Sequence, residues 1–269
     1  MGDLDGMILP ADGMRARRFR SARAVVALML REMATTYGRS PGGYVWAVLE
    51  PAAALALLSL VFSMAFRAPS LGTNFPLFYA TGYLPFALFL ELSSKTAAAI
   101  RFSRPLLAYP VVTFVDAIIA RALLTTLTQL MVAYVVFSGI LILFDTRTIL
   151  DLGQVALAYC ATVALAMGIG TFNCFLMGVL PAWERVWGVI TRPLFILSCV
   201  IFVFDDMPQL AKDILWYNPI VHCVGLMRRG FYPAYHGDYI SVTYVMAVAT
   251  ITFGFGLTML WRRFRDLAE

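Results

Sequence analysis

Residues 15–66 read RARRFRSARAVVALMLREMATTYGRSPGGYVWAVLEPAAALALLSLVFSMAF, and this stretch decides the fold. Between Phe19 and Tyr37 the apolar side chains Phe19, Ala22, Val26, Met29, Leu30, Met33 and Tyr37 recur at three- and four-residue steps, the stripe of an amphipathic helix. Arg20, Arg23 and Arg31 fall on the other face. A helix apolar below and arginine-rich above suits the headgroup boundary of an anionic leaflet better than the surface of a soluble core. Gly38 supplies a left-handed end and Arg39-Ser40-Pro41-Gly42-Gly43 forbids continuation, so a sharp corner follows. Past that corner Tyr44 and Trp46 sit where interfacial aromatics sit, and Ala47 to Phe66 is apolar except for Glu50, Ser59 and Ser63. At about 1.5 Å per residue this span crosses a hydrocarbon layer of roughly 30 Å. Two placements fit Glu50, one turn inside the span beside the helix-bending Pro51. It faces a polar cavity or another helix, as ionisable groups in spans usually do, or it reaches back to the headgroups.

The rest of the chain agrees with a membrane assignment. Hydrophobic residues make up 61%, charged residues 14%, and the mean hydropathy is +0.78, far outside the range of soluble domains. The first fourteen residues are mixed, with Asp3, Asp5 and Asp12, and do not read as a removable secretory signal. Cys160, Cys174, Cys199 and Cys223 have no paired spacing and read as packing residues, and His222 and His236 are too isolated to suggest a metal site.

Further spans are expected at about Leu77–Ala98, from near Ala120 to Phe144, Gly153–Leu180, Trp187–Phe204 and Tyr239–Trp261, which makes six with the first. Glu91 and Lys95 at i and i+4 can close an ion pair. Asp116 and Arg121 open the third apolar run and belong at the interface or against protein. Gly168, Gly170 and Gly178 allow close helix approach. Ile100 to Val112, with Arg101, Arg104, Pro105, Tyr109 and Pro110, is too polar and broken for lipid and reads as a cytosolic loop. Outside the spans, thirteen lysines and arginines lie at the termini and in the 100–112 and 181–186 connections, against five in the other three, so both termini are expected in the cytosol.

The connection from Asp205 to Tyr239 reads as two short helices. Asp205 or Asp206 caps the first, and Asn218-Pro219 starts the second, which runs to Arg228 and Arg229 and stops at Gly230. Each is too short to cross a bilayer, yet too apolar for open water, so a re-entrant hairpin is expected, with a small external cap as the alternative. Residues 1–46 thus form an N-terminus with an interface helix, and 47–269 a six-span, all-α membrane domain.

No glycine-rich phosphate loop exists, since the only lysines are Lys95 and Lys212 and neither follows a glycine. No hydrolytic triad or carboxylate pair stands out. A transport subunit and a membrane-embedded transferase are the classes left. Arg18, Arg20, Arg31 and Arg39 beside the first span suit either the attraction of an anionic lipid-linked sugar or plain anchoring, because the arginine fork binds phosphate and carboxylate at two points.

The corner Thr36-Tyr37-Gly38-Arg39-Ser40-Pro41-Gly42-Gly43-Tyr44-Val45-Trp46 with Glu50-Pro51, the block Arg192-Pro193-Leu194-Phe195, and Trp216-Tyr217-Asn218-Pro219-Ile220-Val221-His222 followed by Arg228 to Phe231 resemble type-2 ABC exporter permeases that move polysaccharides. The compact length looks most like the capsular branch, while O-antigen, teichoic-acid and drug exporters share the layout. The resemblance implies a homodimer in the bacterial inner membrane, docked on two copies of an ATPase that hold ATP and Mg. It also implies a periplasmic co-polymerase-type adaptor, an outer-membrane exporter and a lipid-linked polysaccharide, but no nucleic acid. On the same ground Arg101, Arg104 and Tyr109 fall on the helix that receives ATPase movement, and Trp216, Asn218, Pro219, His222, Arg228 and Arg229 on an external gate.

Overall fold

The computed structural model describes residues 20–36, 42–107, 113–146 and 148–268. These fold as helices: α1 (Arg20–Thr36), α2 (Gly43–Ala65), α3 (Phe75–Ala97), α4 (Ala99–Leu107), α5 (Phe114–Leu143), α6 (Leu152–Val179), α7 (Trp183–Leu197), α8 (Gln209–Leu215), α9 (Pro219–Phe231) and α10 (Val242–Ala268), with no strand among the described residues. Five of them, α2, α3, α5, α6 and α10, are long and apolar enough to cross a membrane.

The core is built around α3 and α6. Leu77, Phe78, Leu88, Phe89 and Leu92 of α3 are buried, as are Ala158, Ala161, Leu165 and Ala166 of α6. The expected close approaches occur at two glycines of α6. A Cβ at Gly170 would stand 2.9 Å from the Ser93 carbonyl of α3, and one at Gly168 would strike the Ala249 carbonyl of α10. By contrast α2 exposes Leu57, Leu60, Val61 and Met64, a face apolar enough for lipid or for another chain.

α1 forms as a helix where the sequence expects one. Val25, Leu28 and Glu32 pack on the bundle together with Met29 of the expected stripe, and Val26 and Leu30 of that stripe point outward at 53% and 61% exposure. Both sides are therefore apolar in part, and the outward one remains free for lipid. α5 starts at Phe114, and its turns before the expected span start near Ala120 are packed against protein, with Asp116 and Arg121 buried as expected. The Asp116 side chain and that of Thr113 form a capping box, with Thr113 Oγ1 accepting from the Asp116 amide at 3.2 Å and the Thr113 amide donating back at 3.0 Å.

The segment read as a broken loop is helical through Leu107, Pro105 included. The expected fifth span differs more. Instead of Trp187–Phe204, α7 covers Trp183–Leu197, 15 residues and roughly 22 Å, less than one crossing. Pro193 does not end it. The chain leaves the helix at Ser198 and turns through Cys199, which takes a left-handed φ of 57° although it is not glycine. Nor do the aspartates cap the next helix: Phe204–Asp206 forms a single 3₁₀ turn and Pro208 precedes α8. Asn218 does cap α9, its Oδ1 accepting from the Ile220 amide at 3.1 Å, and α9 runs one residue past Gly230 to Phe231.

Candidate functional site

A polar cavity of about 320 Å³ opens between α2, α3 and α5, at the end of the bundle where α1 lies. From the first turns of α2 it receives Trp46 and Glu50. The middle of α3 contributes Tyr83 and its last two turns Glu91 and Lys95, and the middle of α5 contributes Thr125, Thr128 and Gln129. Glu50 lines this cavity and is exposed. Glu91 and Lys95 form the expected i,i+4 pair at 3.6 Å, so Lys95 balances one carboxylate and leaves the other. Of the arginines expected at this entrance, Arg31 is exposed on α1 and does not line the cavity. Arg18 and Arg39 lie outside the described residues, as do the side chains of Arg20 and Tyr44.

Beside this cavity Arg121, expected at the interface or against protein, is the centre of a junction whose partner Glu32 the sequence does not single out. Arg121 of α5 donates from Nε to Glu32 Oε1 of α1 at 3.0 Å and from Nη1 to the Lys95 carbonyl of α3 at 3.3 Å. Its guanidinium also lies 4.1 Å from the Phe102 ring centroid of α4. The two charged side chains are only 10% and 7% exposed. Ser21 of α1 adds a hydrogen bond to Asp116. The signal for Glu32 was a lone carboxylate among arginines, which by itself reads as a solvated face.

At the same end Arg101 of α4 grips Glu184 of α7 at two points, 2.5 Å and 2.9 Å. The paired hydrogen bond holds the Glu184 carboxyl below the usual carboxylate range and pushes Arg101 up. Arg101 and Arg104 also line a cavity of about 190 Å³ with Cys174, Met177 and Gly178. Tyr109 lies outside the described residues.

The residues expected at an external gate come together at the far end of α7. Asn218 Nδ2 donates to the Leu197 carbonyl at 3.0 Å, so one asparagine starts α9 and satisfies the end of α7. Trp216 Nε1 donates to the Tyr239 carbonyl at 3.2 Å, and its ring stacks on Tyr244 at 5.1 Å. Arg229 clasps the His236 carbonyl, with Nε at 2.9 Å. Arg228, in the last turn of α9 as expected, is fully buried, donating to the Phe202 carbonyl at 2.7 Å and the Val200 carbonyl at 3.0 Å, with Phe78 4.6 Å away.

His222 is fixed as a neutral ring. Its Nδ1 accepts from the Ser241 amide at 3.2 Å, so Nε2 carries the proton and donates to the Trp216 carbonyl at 2.8 Å. Burial holds its pKa below the ordinary 6.5. An opened hairpin takes the proton first, so the contribution of His222 is complete above pH 6.5 and is lost as pH falls below it, by at most about 1.4 kcal/mol per pH unit. Thermal unfolding in lipid nanodiscs at pH 7.5 and 5.5 checks this. The wild type should lose stability at the lower pH, and His222→Gln should lose less between the two.

Comparison with known proteins bears on this arrangement. The polysialic acid transport protein KpsM of Escherichia coli is 31% identical over 235 residues, covering 87% of this chain and 91% of that protein. The capsule polysaccharide export inner-membrane proteins CtrC of Neisseria meningitidis serogroup B and BexB of Haemophilus influenzae are 24% and 25% identical, each over 88% of this chain and 90% of its own length. The ABC-2 type transporter family matches residues 23–232, from the second turn of α1 to the end of the hairpin. With most of its length matched, this chain belongs to the ABC-2 type transporter family.

Proposed function

We propose that this chain is the permease subunit of an ATP-driven exporter that moves lipid-linked, acidic capsular polysaccharide across a bacterial inner membrane. The observation that carries this reading is the near full-length similarity to three proteins named for capsule or polysialic acid export. A polar cavity within an apolar bundle supports it, because carboxylates and an ammonium between spans are costly unless they serve a pathway. In this reading α7 and residues 198–204 together make the fifth of six crossings, α8 and α9 form a re-entrant gate, and both termini face the cytosol. Two copies assemble on two ATPase subunits, which hold ATP and Mg, while an adaptor and an outer-membrane exporter complete the route. α4 receives the ATPase stroke, braced on α7 through Arg101 and Glu184. The arginines near the first span gather the anionic end of the glycolipid at the membrane surface.

The test is reconstitution of the full chain with the ATPase that co-purifies with it, followed by ATP hydrolysis and glycolipid export. Arg101→Glu should cut coupled hydrolysis about tenfold while insertion stays normal, since an exposed ion pair adds at most about 1 kcal/mol to stability. Arg101→Glu with Glu184→Arg should restore most of the coupling. Full coupling in the single variant would refute the role of α4, and hydrolysis or turnover by the permease alone would refute the subunit assignment.

A further inference from the structure

The cavity between α2, α3 and α5 has a lining that orientation and anchoring do not explain. Its volume, about 320 Å³, falls in the range of small-ligand sites and equals roughly ten waters of liquid. The ion pair of Lys95 with Glu91 leaves the cavity one negative charge, on Glu50, which has no ion pair among the described residues. Thr128 spends its proton on the Leu124 carbonyl at 2.9 Å, so its oxygen can only accept from a ligand. Gln129 offers both a donor and an acceptor, and the Trp46 and Tyr83 rings form part of the wall.

Three ligand chemistries compete for such a space. A phosphate or sugar carboxylate meets more negative than positive charge. An acyl chain leaves Glu50 and Gln129 in contact with hydrocarbon, at a cost of several kcal/mol. An uncharged sugar ring satisfies the lining: its hydroxyls donate to the carboxylates and to Thr128, its ring oxygens accept from Lys95 and Gln129, and its C–H face lies on an aromatic ring. We infer that this cavity is a saccharide subsite that takes an uncharged, hydroxyl-bearing sugar unit, separate from the arginines that meet the anionic part of the same molecule. The inference rests on the permease reading only for the identity of the sugar's carrier.

The experiment uses the full chain in nanodiscs containing a neutral diglucosyl diacylglycerol and phosphatidylglycerol in equal amounts, with retained lipids counted by native mass spectrometry. The wild type should enrich the glycolipid about tenfold over its share of the bilayer. Glu50→Ala with Gln129→Ala should abolish the enrichment, and Glu50→Gln should keep part of it, because the amide still accepts a hydroxyl proton. Enrichment unchanged in the double variant, or phosphatidylglycerol retained in place of the glycolipid, would overturn the subsite. Export by the wild-type chain with its ATPase is measured separately. Export without enrichment strikes the subsite alone, and enrichment without export leaves it standing while the permease reading falls.

Discussion

Replacing Arg228 with lysine is expected to destabilise the α8–α9 hairpin more than replacing it with methionine, although lysine keeps the charge. Arg228 is wholly buried, no carboxylate among the described residues pairs with it, and its work is done on backbone oxygens. Those of Val200 and Phe202 belong to the irregular stretch after α7, which has no helix to satisfy them. Methionine fills similar space and relieves the burial of a charge, but strands two carbonyls at about 1–3 kcal/mol each. Lysine can reach one of them at best and leaves an ammonium in the interior, so its cost should exceed that of methionine, at about 4 kcal/mol or more. Thermal unfolding of the nanodisc-embedded chain ranks the three proteins. A lysine variant as stable as wild type would mean that water or movement already satisfies those carbonyls.

The contrast between Arg228 and Asn218 shows what the sequence made legible. Asn218-Pro219 announces a helix start with its own two residues, and the structure places the cap there. The same holds for the Glu91–Lys95 pair and the ends of α3 and α6, whose signals lie within one or two turns, while the corner at Gly38 to Pro41 lies outside the described residues. Arg228 shows in the sequence only as the end of a short helix, because nothing nearby shows that Val200 and Phe202, 28 and 26 residues earlier, lack partners. The early end of α7 has the same origin, since Asn218 and Arg228 hold the chain where it leaves the helix. On α1 Ala22, Val26 and Leu30 make one apolar line, which points outward, and Val25, Leu28 and Met29 another. Packing on α5 chose the second because it brings Glu32 to Arg121. Glu50 was legible as an ionisable group inside a span, and the structure puts it on the wall of a cavity.

That choice yields the other large effect. Glu32→Leu is expected to cost about 3–5 kcal/mol, because it leaves the Arg121 guanidinium buried with one carbonyl and one aromatic ring for company. Combining it with Arg121→Met should recover most of the loss, since an apolar pair of similar volume removes both desolvation penalties. Stability and function should then part. Arg121 is where α1, α3, α4 and α5 meet, and its contact with Phe102 is the link between the interface helix and the helix proposed to receive the ATPase stroke. An apolar pair fills the space without joining α1 to α4 by directed contacts, so the double variant should unfold near the wild-type temperature and still export poorly with its ATPase. Recovery of export along with stability would make the pair a packing device only, and a single Glu32→Leu variant as stable as wild type would show that the pair is not closed in the membrane.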